Sequence, residues 1–426
     1  MRLGGRLAAA IEVLSDMEKR HRPAADALKD WGLSHRFAGA GDRAAIGNIV
    51  YDALRRRRSA AWKLGEESPR AAAFGALLLE WNETVATLDQ VLEGDRFAPE
   101  PFSTAERAAI EANRLEDAPE LIQADLPDWC QPFFEASFGE EWVAEAAALA
   151  DRPPLDLRIN RLQSSQTRVQ DELKQTGAVP TAIAPSGLRI PPIEGSGRHP
   201  NVQVEPAFQK GWFEIQDEGS QIAAHLACAT AGMQVLDFCA GAGGKTLALA
   251  ADMENRGHIF AYDADKSRLA PIFDRLKRAE TRNVQAVASL ESLSHLENQA
   301  DLVLIDAPCT GSGTWRRRPD AKWRLSSRQL DIRVAEQAAI LDRARSFVKP
   351  GGHLAYVTCS VFEEENTRQV EAFLARHPEF TCVDQQALWN DRLGRGDARF
   401  SPHGILMSPR KTGTDGFFFA SLKRAA

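Results

Sequence analysis

The sequence predicts an α/β protein whose C-terminal half is a doubly wound sheet, preceded by an all-helical domain and a small α+β module. Three observations carry this. From Leu3 to about Ala150 the chain is rich in Ala, Leu and Glu, with apolar residues at helical spacing, such as Leu7, Ile11 and Leu14, or Ile46, Ile49, Val50 and Leu54. The Pro153-Pro154 pair breaks that texture, after which Leu155 to Ile159 alternates like a strand and Ser165 to Thr176 reads as a helix. Beyond these, four short apolar runs recur with helical stretches between them: Val235 to Phe238, Ile259 to Asp263, Leu302 to Asp306 and Leu354 to Val357. Each has the length and the β-branched or aromatic content of a buried parallel strand, and the intervals can hold crossover helices.

The resulting division is 1–150 for the helical domain, 151–205 for the small module and 206–426 for the doubly wound domain. A chain of 426 residues calls for more than one core, because single cores rarely grow past roughly 250–300 residues. Pro191 to Pro200 reads as an exposed loop. With 44% hydrophobic and 26% charged residues the composition is globular, and no stretch approaches the roughly 20 apolar residues of a membrane span. Glu12 interrupts the early apolar stretch from Leu7 to Leu14, which argues against a secretory leader, so the cytoplasm is the expected location. Cysteines 130, 228, 239, 309, 359 and 382 form no CxxC pair, and the nine histidines have no zinc-ligand spacing. Free thiols in a reducing compartment are expected, with Cys130, Cys228 and Cys382 as small buried hydrophobes.

The net charge of −7 hides an uneven distribution. Residues 1–64 carry 13 Lys and Arg against 7 Asp and Glu, whereas residues 65–150 carry 4 against 19. The first segment includes Arg55-Arg56-Arg57-Arg58, a run that suits either a solvated helix face or a nucleic-acid contact.

Ligands of doubly wound sheets bind where loops leave the carboxyl ends of strands. The first such loop contains Cys239-Ala240-Gly241-Ala242-Gly243-Gly244-Lys245. Glycines there let the backbone approach a ligand and leave amides free at a helix N-terminus. A P-loop is excluded because Cys239 stands where its first glycine belongs, and a dinucleotide fingerprint because Thr246 stands where its third belongs. Asp263, ending the next strand, lies where an acid takes the ribose hydroxyls of a nucleoside. A tight strand-to-helix turn with a capping aspartate would look similar.

Asp306-Ala307-Pro308-Cys309 follows one core strand and Thr358-Cys359-Ser360 another, which places two thiols and a carboxylate over the same sheet edge. Ser360 and Glu363 have the spacing of a capping box, which predicts Cys359 at a helix mouth, its thiol made more acidic by the dipole and less so by Glu363, Glu364 and Glu365.

Together with Arg318-Pro319-Asp320-Ala321-Lys322-Trp323 and Asp415-Gly416-Phe417-Phe418, these motifs resemble the RNA cytosine-5 methyltransferases, most closely the Sun-type bacterial ribosomal RNA members. The match is close from Gln216-Asp217-Glu218-Gly219-Ser220-Gln221 onward; Asp42-Arg43 and Tyr51 to Arg58 are similar to the NusB-like RNA-binding domain that precedes many members. The resemblance implies a Rossmann-like fold binding S-adenosyl-L-methionine, with Cys239, Ala240, Gly241, Ala242, Gly243, Gly244, Lys245, Asp263 and Asp306 as cofactor residues. It implies Cys359 as the nucleophile and Cys309 as the residue that helps release product. Methylation at carbon 5 of a cytosine needs a thiolate at carbon 6 and an acid near ring nitrogen 3, a contact Asp306 can supply. Two positions depart from the family: Ala242 stands where proline is usual, and Ser289 where an aspartate near the adenine is usual.

Arg316, Arg317, Arg318, Lys322, Arg324 and Arg328, interleaved with Trp315 and Trp323, suit phosphate contacts and stacking on an unpaired base, although Trp323 equally suits a core position. The expected partner is RNA, foremost ribosomal RNA and next transfer RNA, with no membrane, no metal and a monomeric state. Two other classes are a DNA cytosine methyltransferase, in which Cys309 would be the nucleophile and Cys359 would have no task, and a non-catalytic RNA-binding factor, which the intact cysteines, Asp306 and glycine loop do not favour.

Overall fold

A computed structural model describes residues 1–426 and divides them into two compact units: Met1–Pro153 with Pro192–His199 and Trp315–Ser326, and Pro154–Pro191 with Pro200–Thr314 and Ser327–Ala426. The first is built from helices, including Leu3–Arg20, Ala24–Ser34, Ala40–Arg55, Arg57–Leu64 and Pro69–Glu80. Local chemistry sets several of their ends. Ser68 caps the last of these, its side chain accepting from the Ala71 amide, and Pro69 follows at a position that needs no donor. Ser103 and Glu106 form a reciprocal capping box on Thr104–Ala112. The apolar stripe read from the sequence becomes the core: Leu7, Ile46, Ile49 and Val50 are fully buried with Phe74 and Leu77. Trp323 packs against the same cluster.

In the second unit, strands β1 (Leu155–Ile159), β2 (Val179–Pro180), β3 (Gly187–Ile190) and β4 (Phe213–Ile215) form a four-stranded antiparallel sheet in the order β2-β3-β1-β4. Its last strand lies past residue 205 in the sequence. The stretch Ser165 to Thr176 contains the helix Gln166–Glu172, capped by Ser165, and a short 3-10 turn.

The large sheet holds β5 (Gln234–Asp237), β6 (His258–Tyr262), β7 (Val284–Val287), β8 (Ala300–Asp306), β9 (Val348–Thr358), β10 (Phe380–Cys382), β11 (Arg399–Ser401), β12 (Gly404–Met407) and β13 (Phe417–Arg424). The order is β11-β12-β13-β9-β8-β5-β6-β7, with β10 on β13. From β9 to β7 all neighbours are parallel; β13, β12 and β11 add an antiparallel edge. The four apolar runs are the central strands of this sheet, continuous in hydrophobicity because both faces are covered. This is the doubly wound, Rossmann-like fold expected from the sequence. Strands are added outward in opposite directions from the adjacent, parallel pair β5 and β8, so the loops after Asp237 and Asp306 leave the sheet side by side at the topological switch point.

Candidate active site

The carboxyl ends of β5, β6, β8 and β9 bring together what the sequence spreads over 120 residues. In register, Asp237 pairs with Leu304 and Asp306 with Val357, so the turns after these strands start level with one another. Phe238 N donates to Leu304 O and Ala307 N to Val357 O, both at 2.9 Å, which carries the ladder one step past the strand ends.

The glycine turn is shaped by backbone geometry. Gly241 and Gly243 have φ of +50° and +82°, and a Cβ on Gly243 would sit 2.5 Å from Ile272 Cγ1. The turn leads into the helix Gly244–Asp252. Asp263 is buried and grips the turn: one carboxylate oxygen accepts from Gly241 N at 2.9 Å, the other from Asp265 N at 2.9 Å. Each oxygen keeps a lone pair for a further donor. Below the turn, Asp237 is fully enclosed, accepts from Thr246 Oγ1 at 2.7 Å and is pushed up to about 7 by burial. Its second oxygen, Oδ1, has no partner. A glycine cradle, free amides at a helix start and an enclosed carboxylate pair suit a nucleoside-bearing cofactor such as S-adenosylmethionine.

Of the two family departures, the one at position 242 has a structural answer. The Ala242 carbonyl accepts from Arg275 Nη1 at 2.8 Å, and Arg275 is anchored on Glu214 at 2.9 Å, so the turn is tethered without proline. Ser289 is half-buried and pairs with Ser292 at 3.0 Å.

Cys309 Sγ and Cys359 Sγ are 3.4 Å apart, both half-buried. Their hydrogen bond and burial push the Cys309 thiol well above its ordinary range. Asp306 Oδ2 accepts from Lys245 Nζ at 2.7 Å. The glycine turn thus contributes both a cradle and, through Lys245, a cation beside the carboxylate at the end of β8. Lys245 also lies over the Phe417 ring, 5.3 Å from its centroid.

The helix mouth predicted at Cys359 is not formed. Ser360 Oγ accepts from Phe362 N at 3.1 Å and pairs with Ser312 Oγ at 2.9 Å, Glu363–Glu365 is a 3-10 turn, and the helix begins only at Thr367. Ser360 is committed to the neighbouring turn instead of a helix, so no helix N-terminus stands at Cys359. Glu365, read as one of three acids offsetting that dipole, is instead enclosed and accepts from Thr310 N at 2.8 Å.

The basic runs are mostly structural. Arg55 pairs with the enclosed Asp52, Arg56 with Glu80 and Asp151, Arg57 with Glu18 and Glu67, and Arg58 with Asp128. Arg316 and Lys322 are buried, while Arg318, Arg324 and Arg328 are exposed. Burial lowers Lys322 to about 8. Trp315 is enclosed against Phe134, and Trp323 donates to Leu54 O at 2.7 Å, so neither ring is a free stacking platform. The alternation of Arg and Trp carries no sign of which side chain turns inward.

Residues 224–423 match the family of 16S rRNA methyltransferase RsmB/F, and residues 126–192 match the ferredoxin-like domain of RsmF/B-like methyltransferases. The chain is 33% identical over 298 residues to ribosomal RNA small subunit methyltransferase B of Cronobacter sakazakii, covering 70% of this chain and 66% of that protein. It is 33% identical over 315 residues to the protein of the same name from Pectobacterium carotovorum, covering 71% and 69%. The chain thus spans about two thirds of the length of these relatives. Among solved structures, PH0851 is similar with a TM-score of 0.73 and 26% identity over the whole of both chains. A methyltransferase homologue from Pyrococcus horikoshii is similar with a TM-score of 0.60 and 25% identity over 72% of this chain and 97% of that one. With its sheet, its loop motifs and these matches in agreement, the chain belongs to the RsmB/F family of 16S rRNA methyltransferases.

Proposed function

We propose that this protein methylates carbon 5 of a cytosine in ribosomal RNA, using S-adenosylmethionine and a covalent cysteine adduct. The observation that carries the reading is the pair of thiols 3.4 Å apart at the sheet edge where Lys245 holds Asp306. A methyltransferase acting on an already nucleophilic atom needs no thiol; carbon 5 of cytosine needs one.

When bound, S-adenosylmethionine supplies the electrophilic methyl group. Gly241, Gly243 and Asp263 would hold its nucleoside part, the enclosed carboxylate facing the ribose. Cys359, as thiolate, adds to carbon 6 of a cytosine turned out of its stack, and the ring electrons move to carbon 5. Asp306 contacts the base edge at nitrogen 3, held in place by Lys245. Once carbon 5 is methylated, its proton passes to Cys309 in its thiolate form while the ring electrons are restored and the carbon 6–sulfur bond breaks, releasing Cys359 as thiolate. Cys309 stands 3.4 Å from that sulfur and assists this last step.

The test is methyl transfer from labelled S-adenosylmethionine to ribosomal RNA, transfer RNA and DNA, comparing wild type with Cys359→Ala and Cys309→Ala. The reading requires label in ribosomal RNA as 5-methylcytosine, no transfer by Cys359→Ala, and a denaturation-resistant protein–RNA adduct with Cys309→Ala. Label in transfer RNA alone moves the substrate; label in DNA with activity surviving loss of Cys359 rejects the mechanism.

A further inference from the structure

Cys309 and Cys359 sit on separate loops, joined directly by Gly313 N donating to Cys359 O at 3.0 Å and by the Ser312 and Ser360 hydroxyls at 2.9 Å. Three enclosed side chains grip the flanks of the two cysteines in addition. Gln337 Nε2 donates to Pro308 O at 2.9 Å, and Glu365 Oε1 accepts from Thr310 N at 2.8 Å, so the peptides on both sides of Cys309 are gripped. Gln337 Nε2 also donates to Glu365 Oε1 at 3.0 Å, which makes the two grips one unit. Glu365 Oε2 accepts from the Thr310 hydroxyl. The adjacent residue treats Cys359 in the same way. Asn366 Nδ2 donates to Ser360 O at 2.9 Å, and Asn366 Oδ1 accepts from the Thr358 hydroxyl, so both neighbours of Cys359 are held. Glu365 is further fixed through its carbonyl, which accepts from Tyr356 OH at 2.7 Å. Glu365 and Gln337 are fully enclosed and Asn366 nearly so.

We propose that Glu365, Asn366 and Gln337 are positioning residues that clamp the two thiol loops to each other and thereby set the sulfur–sulfur distance on which release of the methylated base depends. The proposal rests on the reading of Cys359 as nucleophile and Cys309 as the releasing group. Two consecutive residues, each bonded to the flanks of a different cysteine, make one short turn the common reference for both loops. A carboxylate at 365 suits the task because it accepts from three donors at once: the Thr310 amide, the Thr310 hydroxyl and the Gln337 amide. Placement matters at this scale, since about 1 Å of displacement can cost on the order of a hundredfold in rate.

The experiment uses full-length Glu365→Ala, Gln337→Leu, Asn366→Ala and the near-isosteric Glu365→Gln, and reads thiol spacing and turnover separately. Spacing is read without RNA by the rate at which diamide forms an intramolecular Cys309–Cys359 disulfide, scored by peptide mass. The two thiols lose two electrons and two protons to diamide, which becomes the hydrazine, as the S–S bond forms. Glu365→Ala and Gln337→Leu should slow this by about tenfold, whereas Glu365→Gln, which keeps an oxygen for the Thr310 amide, should stay near wild type. In turnover, Glu365→Ala should accumulate covalent RNA adduct as Cys309→Ala does, with kcat reduced and the KM for S-adenosylmethionine unchanged, a split that a general loss of stability does not produce. Should Glu365→Ala fail to fold, judged by its near-ultraviolet circular dichroism, Gln337→Leu and Asn366→Ala carry the same test. Disulfide formation at the wild-type rate in folded Glu365→Ala and Gln337→Leu overturns the proposal. Slowed oxidation in those variants, from a wild-type protein that transfers no methyl group to RNA, would sink the functional reading and leave the spacing claim standing.

Discussion

The Sγ atoms of Cys309 and Cys359 lie 3.4 Å apart, and that contact is the largest cause of the upward shift of the Cys309 thiol. Removing the partner sulfur therefore makes Cys309 more acidic. In Cys359→Ala the pH at which iodoacetamide begins to alkylate Cys309 should fall, because the thiolate is the reactive form. Peptide mass spectrometry across a pH series reads this directly, and an unchanged or higher onset would show that the sulfur contact does not control Cys309.

The 2.7 Å pair of Lys245 and Asp306 joins the glycine turn to the end of β8. Replacing Asp306 with Ala should reduce methyl transfer by about 10²–10⁴-fold, the usual span for losing a positioned acid or base group. Lys245→Met, which leaves the carboxylate without its cation, should reduce kcat in the same direction but less. Single-turnover transfer with saturating cofactor checks both, and near-wild-type turnover by Asp306→Ala would remove Asp306 from the reaction.

Gly243 and Gly241 separate two effects of a side chain in the turn. Both have positive φ, but only at Gly243 does a Cβ collide, 2.5 Å from Ile272 Cγ1, whereas at Gly241 the nearest atom is 3.8 Å away. Gly243→Ala should cost roughly 1–3 kcal/mol more than Gly241→Ala, the range for forcing an extra carbon into a packed site. Urea unfolding of the cofactor-free proteins decides this, and equal costs would mean that Ile272 yields without penalty.

Asp52 is enclosed and accepts from Arg55, Arg152 and, at 2.8 Å, Trp81 Nε1. Asp52→Ala should destabilise the protein by about 3–5 kcal/mol, since it strands buried guanidinium groups. By contrast, Asp128, which pairs with Arg58 from a side chain that is 80% exposed, should contribute about 0–1 kcal/mol when replaced by Ala. Thermal unfolding with matched controls measures both; similar small losses would mean that the Asp52 cluster is solvated.

Asp237 links stability to pH. Burial raises it from 3.8 to about 7, so between these values the folded protein holds a proton that the unfolded chain has released. Stability from this group is therefore present at low pH and is lost as pH rises from about 4 to about 7, at up to about 1.4 kcal/mol per unit. Asp237→Asn keeps an acceptor for Thr246 and removes the titration. Its stability relative to wild type should climb between pH 5 and pH 8 in urea melts, and a pH-independent difference would show that Asp237 stays ionised.

The sequence by itself determined the fold class, because continuous apolar runs and helical stripes are local patterns that follow from burial on two faces or one. It also marked the loop residues from Cys239 to Lys245, Asp263, Asp306, Cys309 and Cys359 as strand-end residues, and the structure brings these to one edge. What local pattern could not show was which side chains face inward. The arginines from 55 to 58 read as a charged surface, yet their carboxylate partners at Glu18, Asp52, Glu80 and Asp128 are up to 70 residues away in the chain. Glu365 reads as one acid in a run of three, and only the tertiary structure enclosed it against Thr310 and Gln337. A capping box predicted from Ser360 and Glu363 gave way for the same reason, since Ser312, 48 residues earlier, bonds the Ser360 hydroxyl first. Periodicity and strand-end placement come from interactions between chain neighbours and are written in the sequence; hydrogen-bond partners across loops depend on distances that exist only once the sheet has set its register.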